Sequence, residues 1–541
     1  MSYKALINKV FTRKYQFALQ PNSVEFLEEV LSEHEIAPDQ VQDALEAIAK
    51  ECQKQGDCTT IVTRDILVRV YELMREAGED GPSVNPLDAD LLDPENHLFI
   101  IDAFDMPSWY YSADRKAFER TPWKSAVGGT AQSRTQLMRS RHDLIKQFVL
   151  RNENFSPPIS GRDRASYLKI TSTKNLLGRI GERFLLFGML SHDSAGKLCL
   201  EDTEGKVMLD ITDTAPSEGF FTEGCFVLVE GDYTANESFA VIAIGHPPSE
   251  RRAVARSIFG HIDMLGNGAT TVLEDASYQE RLELEYSRLS FLVMSDLWLD
   301  HRRTLEGLSK VFEGCVENDF IPLIFILCGN FTSGSLDLTS GDGLAKYQDN
   351  LDSLADLIAG FPAISRNSHF VFVPGPLDPW GSSTLPRRPL PSSFTSRIRS
   401  RVPKSHFPSN PARIKFFGLE VVIFREDLMA KMLRNLIGVK PDLQGSDLKR
   451  FLVQTIVDQC NLSPLPFPVS PILWDFDHAL RLYPMPSAVI LADSYERYDL
   501  TYEGCHVFNP GNFVGNEFGF SIYFPATGRS EASSIDTENV E

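Results

Sequence analysis

With 541 residues, 43% of them hydrophobic and 23% charged, the chain has the composition of a globular protein of two to four domains. Its net charge of −21 argues against strong autonomous DNA binding through phosphates and favours protein partners. No apolar run reaches the roughly 18 residues of a membrane span, residues 1–15 lack a signal-peptide core, and the eight cysteines form no C-x-x-C pair, so reduced, buried thiols in a cytosolic or nuclear protein are expected and no zinc site is signalled.

Residues 1–75 read as a small helical domain that serves as a docking module. Asn22-Ser23-Val24-Glu25 has the form of a capping box, followed by an apolar face of Phe26, Leu27, Val30 and Leu31. Pro38 suits a first helical position, and Val41, Leu45 and Ile48 follow at helical spacing. Thr63 is placed to cap a third helix bearing Ile66, Leu67, Val70, Tyr71 and Met74. Residues 76–96 are rich in Gly, Pro and acid without periodicity and read as a flexible acidic linker. Residues 97–165 read as a connecting segment packed on the core, with a short strand at 97–103 and helical spacing over 134–152.

Residues 166–250 carry five short apolar strands separated by Gly, Asp and Asn turns, the pattern of an OB-fold barrel. Phe184, Phe187, Phe226 and Phe239 lie inside the apolar runs, which favours core packing over base stacking, and the acids from Glu201 to Asp213 argue further against a single-strand groove. Residues 258–526 follow as an α/β domain. The run Leu289–Met294 reads as a strand buried on both faces and ends at Asp296, where α/β proteins place ligands. Later apolar strands end at Asn330, Asp378 and Tyr495, a strand is expected over 414–424, and helices over 344–358 and 427–436. A Pro, Ser and Arg-rich loop at 380–408 carries Arg387, Arg388, Arg397, Arg399 and Arg401, a candidate phosphate-contacting loop whose other reading is a solvated insertion. Residues 527–541 read as a disordered tail.

The strand ends resemble the calcineurin-like metallophosphoesterase fold, whose active members end their strands in D-x-H, G-D-x-x-D, G-N-H-[DE] and G-H-x-H. Here those motifs read Asp296-Leu297-Trp298, Gly329-Asn330-Phe331-Thr332-Ser333, Gly375-Pro376-Leu377-Asp378 and Ala492-Asp493-Ser494-Tyr495. Such residues hold two metal ions in active members; Trp298, Pro376 and Leu377 cannot bind a hard cation, and of the matched ligands only Asp296 clearly remains. The degenerate positions are therefore Asp296, Trp298, Asn330, Ser333, Pro376, Leu377, Asp493 and Tyr495, with no catalytic residue, metal or cofactor expected, and with Trp298 expected to be buried in the collapsed site.

An OB-fold followed by an inactive phosphoesterase resembles the B-subunit family of eukaryotic replicative DNA polymerases. The stretches 225–231, 372–387, 409–427, 464–484 and 506–513 resemble its epsilon branch, as does the helical module before the linker. The resemblance implies a multidomain α+β protein: an N-terminal helical domain similar to the lid of AAA+ ATPases, an OB-fold β-barrel and an inactive phosphoesterase-like α/β sandwich. It implies a nuclear, non-catalytic accessory subunit acting in leading-strand replication. Its partners would be the C-terminal region of the DNA polymerase epsilon catalytic subunit, the GINS complex of the CMG helicase through the N-terminal domain, the small histone-fold subunits indirectly, and DNA only within the holoenzyme, with no membrane. Two other readings stay open at this point. A metal-dependent phosphodiesterase or nuclease would need Asp300, His301, Asp378, Asp493 and His506 to regroup around metal. A free single-stranded DNA-binding OB protein would show salt-dependent DNA affinity.

Overall fold

Runs such as FLVM at Phe291–Met294, IFILC at Ile324–Cys328 and AVILA at Ala488–Ala492 are buried at every position, as strands covered on both faces must be. They form the centre of the fold. The computed structural model describes residues 3–15, 17–33, 41–54, 61–79, 93–156, 167–214, 217–336, 341–379, 382–438, 447–515 and 517–535. The chain divides into two units, Met1–His97 and Leu98–Glu541.

The first unit is helical. Helix Lys4–Ile7 continues as a wider-turned segment, Asn8–Lys14, and is followed by Pro21–Glu33, Val41–Lys54 and Arg64–Glu79. Phe11, Leu27, Leu31, Leu45, Leu67 and Val70 fill its core, and a two-residue parallel bridge joins Ala18–Leu19 to Ile61–Val62. The capping-box expectation is corrected. Pro21 takes the first helical position, so Ser23 lies within the first turn, and its hydroxyl donates to the Val62 carbonyl at 3.0 Å. The linker expectation for 76–96 is corrected at both ends, because a helix runs to Glu79 and Pro94–His97 forms a 3-10 turn; residues 80–92, like Pro38, lie outside the described residues.

In the second unit the segment expected to pack on the core is partly built into it. Strand Leu98–Asp102 pairs antiparallel with Ala412–Phe416 and becomes the edge of a sheet. A hairpin of Trp109–Ser112 and Ala117–Arg120 follows. Next comes helix Ala131–Val149, opened by a capping box in which Thr130 and Ser133 satisfy each other's backbone N–H.

The barrel consists of Arg183–His192, Leu198–Glu201, Lys206–Asp210, Phe226–Tyr233 and Ser238–Gly245. It closes because Phe226–Tyr233 pairs with both Arg183–His192 and Ser238–Gly245, and the last strand pairs parallel with Lys206–Asp210. The register shifts at Glu230/Gly231; a Cβ on Gly231 would collide with the Ala240 carbonyl oxygen, so only glycine allows this bend. Phe184 and Phe239 fill the interior, while Phe187 and Phe226 pack outward against helix Ala131–Val149. All four are buried.

Beside the barrel stand two six-stranded sheets. One runs Ser405–His406, His369–Val373, Ile324–Cys328, Phe291–Met294, Phe520–Phe524, Arg529–Ser533; the other runs Tyr498–Tyr502, Cys505–Asn509, Ala488–Ala492, Leu419–Arg425, Ala412–Phe416, Leu98–Asp102. They stack through Phe291 on Phe416 and Phe508 on Tyr523, with ring centroids 5.6 and 5.8 Å apart. Helices Arg302–Glu317, Gly341–Ala359 and Ser392–Arg401 cover one sheet, and Leu428–Arg434 and Leu448–Asp458 the other. This is an α/β sandwich.

Three expectations are corrected here. The strand expected over 414–424 is a hairpin turning at Phe417-Gly418. The loop expected at 380–408 contains helix Ser392–Arg401. The tail expected from 527 begins with strand Arg529–Ser533, paired to Phe520–Phe524, while residues 536–541 lie outside the described residues.

Candidate functional site

The carboxyl ends of the central strands converge where the two sheets meet. Asp296 follows Phe291–Met294, Asn330 follows Ile324–Cys328, Asp378 lies in the loop after His369–Val373, Asp493 follows Ala488–Ala492, and Arg425 ends Leu419–Arg425. Arg425 is 1% exposed and its guanidinium is the centre of the site. Nη2 donates to Asp296 Oδ1 at 2.7 Å, Nε to the Gly329 carbonyl at 2.6 Å, and Nη1 to Asp427 Oδ1 at 2.9 Å and to the Ala492 carbonyl at 3.2 Å. Burial works against this charge, but the Asp296 and Asp427 carboxylates outweigh it and the Arg425 pKa is raised. Asp427 is held below the ordinary aspartate value because Arg425 and the Ser494 N–H outweigh its own burial.

Asp296 takes a left-handed conformation with φ +54°, which aspartate tolerates. Its Oδ1 also accepts from the Asn330 backbone N–H and side-chain amide, each at 3.2 Å, while its Oδ2 is buried without a hydrogen-bond partner. Asn330 Oδ1 accepts from the Leu377 N–H at 2.8 Å, which ties the second strand end to the third. Gly329 is required by crowding, since a Cβ there would collide with Asp378 Oδ2. Asp378 accepts from the N–H groups of Phe331 and Gly375 and from the Tyr347 hydroxyl, at 2.8, 2.7 and 3.1 Å. Asp493 accepts from the N–H groups of Met429 and Tyr495, at 2.8 and 3.0 Å. Burial raises both carboxyls to about 6.

The remaining expected positions divide. Pro376 is half-buried in the loop that supplies the Leu377 N–H. Tyr495 is half-buried against the apolar cluster of the second sheet. Ser333 is exposed and donates from its hydroxyl to Asp300 at 2.6 Å, away from Arg425. Trp298 is half-buried, which corrects the expectation of full burial; its carbonyl accepts from the Thr304 hydroxyl at 2.6 Å, and its indole N–H is buried without a partner.

The arginine group is also corrected, for it is not one basic surface. Arg387 is 1% exposed and makes a buried ion pair with Glu426, whose other oxygen takes Lys431 at 3.0 Å. Arg387 further donates to the carbonyls of Ser382 and Arg425 at 2.8 and 3.0 Å. Arg397 and Arg401 both pair with Asp356, and the Arg399 guanidinium lies 4.4 Å from the Phe407 ring centroid. Arg388 is exposed.

These residues do not fit a two-metal centre. Asp296 Oδ1 and Asp427 Oδ1 accept from a guanidinium that the chain carries itself. Trp298, Pro376 and Leu377 offer no side-chain ligand for a hard cation. Among the described residues no group of three or more His, Cys, Asp or Glu is placed to hold a metal. Asp300, His301, Asp378, Asp493 and His506 are not gathered: Asp300 takes Ser333, while His506 lies between Thr501 and Ser530. Sequence reasoning missed Arg425. Its signal was the charge that closes the apolar run VVIF, at a strand end level with Asp493.

A model of the OB-fold domain of DNA polymerase epsilon subunit 2-like proteins matches residues 131–248. A model of the B-subunit of DNA polymerases alpha and epsilon matches residues 291–499. The chain is 35% identical over 530 residues to DNA polymerase epsilon subunit 2 of Bos taurus, covering 96% of each chain. It is 33% identical over 555 residues to the B-subunit of DNA polymerase epsilon of Schizosaccharomyces pombe, covering 95% of this chain and 93% of the relative. A solved structure titled as a novel archaeal phosphodiesterase aligns over 46% of this chain and 100% of its own, at 13% identity and a TM-score of 0.25, a likeness too slight to argue from. With near full-length similarity to these relatives and two matching domain models, the chain belongs to the B-subunit family of DNA polymerase epsilon, a polymerase that replicates DNA.

Proposed function

We propose that this chain is a non-catalytic accessory subunit of DNA polymerase epsilon, working in the nucleus. It binds the C-terminal region of the catalytic subunit through Leu98–Glu541. Its helical unit, Met1–His97, serves as the lid-like module that docks on GINS and so joins the polymerase to the replicative helicase. The small histone-fold subunits are reached indirectly. The observation that carries the non-catalytic reading is Arg425, which places a fixed cation among Asp296, Asp427 and two carbonyls. With Asp296 and Asp427 both paired to this guanidinium, the chain supplies the cation that a metal would otherwise provide to these carboxylates.

The test is a pull-down with each unit expressed separately and with the full chain. The full chain and residues 98–541 should capture the catalytic subunit's C-terminal region equally, and residues 1–97 should capture GINS. Capture of GINS by 98–541 as well as by the full chain, or loss of the catalytic subunit when 1–97 is removed, would contradict the division.

A further inference from the structure

The chain's negative charge is not evenly spread. Residues 113–183 contain fifteen Lys and Arg against six Asp and Glu, within a chain of net charge −21. This stretch includes the second strand of the hairpin, helix Ala131–Val149 and the entry to the barrel. It also contains the loop over 121–130, which presents Trp123 at 50% exposure and Val127 at 48%. Arg120 and Lys124 flank Trp123 and are exposed. Arg120 and Lys124 have no carboxylate partner among the described residues, whereas Arg115, Arg141, Arg151, Arg179 and Arg183 are all paired.

An exposed tryptophan on a loose loop would be unremarkable, but this loop is fixed. The Thr121 N–H donates to the Ser108 carbonyl at 2.9 Å, and the two side-chain hydroxyls are also 2.9 Å apart. The Ala126 N–H donates to Asp475 Oδ2 at 3.0 Å. Gly129 lies so close to the Trp474 ring that a Cβ would sit 2.9 Å from it, and Thr130 caps the next helix. Beneath the loop is a cleft lined by Trp109, Trp474, Ser108, Ser125, Ser140 and the Arg141–Asp477 pair. Three of the chain's five tryptophans thus meet here.

We infer that the loop over 121–130, with Arg120 at the strand end before it, is a contact for single-stranded DNA, outside the barrel, with Trp123 as the base-stacking platform and Arg120 and Lys124 as phosphate contacts. An exposed π-face with unpaired cations close to it in sequence is what sequence-tolerant single-strand binding needs, and a held loop loses little freedom on binding. Duplex DNA offers phosphates but no free base face, so the protruding ring favours the single strand. The hydroxyls of the cleft suit the sugar and base edges that follow. The inference goes beyond the accessory role proposed above and does not depend on it.

The test uses the full chain and a fluorescent oligo(dT) of roughly 30 nucleotides, long enough for such sites, read by anisotropy across a salt series. Binding should weaken with salt. Trp123→Ala should weaken it by about tenfold, within the range known for single stacked bases, while Trp123→Phe should retain most of it. Arg120→Ala with Lys124→Ala should reduce the slope of log K against log salt by about 1.4, at about 0.7 per phosphate contact. No binding at low salt would overturn the inference. So would a Trp123→Ala variant that binds as the native chain does, or equal affinity for a duplex. Competition by polyglutamate as effective as by oligo(dT), with Trp123→Ala without effect on DNA, would assign the surface to an acidic protein partner and also overturn it.

Discussion

Arg425 and Asp296 meet at 2.7 Å with 1% and 2% of their side chains exposed. Burying such a pair contributes little net stability, because desolvation offsets the attraction, but removing one member strands the other. Arg425→Ala is therefore expected to lower unfolding free energy by about 3–5 kcal/mol, measured by urea denaturation. Arg425→Lys should not restore it, because a point-like ammonium cannot serve acceptors spread over a planar fork. Asp378 and Asp493 make a second claim testable at this scale. Both bind a proton more tightly folded than unfolded, with values of about 6 against the ordinary 3.8. The stability they contribute is thus present below about pH 4 and lost as pH rises through 6. Relative to the native chain, Asp493→Asn should become progressively less destabilising between pH 4 and 7, read from urea midpoints; a difference independent of pH would refute the assignment.

Among the elements, the joint between barrel and sandwich includes the residue just past helix Leu448–Asp458. Gln459 Oε1 accepts from the Phe226 N–H and its Nε2 donates to the Phe226 carbonyl, both at 2.7 Å. It also meets His246 Nδ1 at 3.0 Å, and His246 stacks on Phe221 with centroids 4.3 Å apart. Gln459→Leu leaves two buried backbone groups unpaired, each at a cost of about 1–3 kcal/mol, and should lower the thermal midpoint measurably while leaving the sandwich core intact. The main strands were legible because strands buried on both faces leave uninterrupted apolar runs. The turn at Phe417-Gly418 was not, because it interrupts such a run with an aromatic residue at φ +52°. Strand Arg529–Ser533 was hidden for the opposite reason: it is a sheet edge, largely exposed, so its polar sequence carries no alternation. The placement of Asp296, Asn330 and Asp493 at the ends of buried strands was legible residue by residue. Arg425 and Arg387 were not, because which cation enters a core depends on a partner 129 or 39 residues away.

Over the whole molecule, the barrel and the sandwich belong to one unit, Leu98–Glu541, and the connection between them is pinned along its length. Glu250 pairs with Arg151 at 2.7 Å, Arg251 with Glu503 at 2.9 Å, and Arg252 donates to the Met485 carbonyl at 2.8 Å. Limited proteolysis should therefore not separate the two halves near residues 246–253. Early cleavage there into two stable pieces would show that they move independently. Whether a guanidinium has replaced the metals and ended the chemistry is decided by hydrolysis of a generic phosphodiester. The assay takes the purified full chain with Mn²⁺, Mg²⁺ or Zn²⁺, beside an Asp296→Ala control. The expected result is no turnover above that control with any of the three metals. Metal-dependent turnover by the native chain that disappears in Asp296→Ala would contradict the replacement of the metals by Arg425.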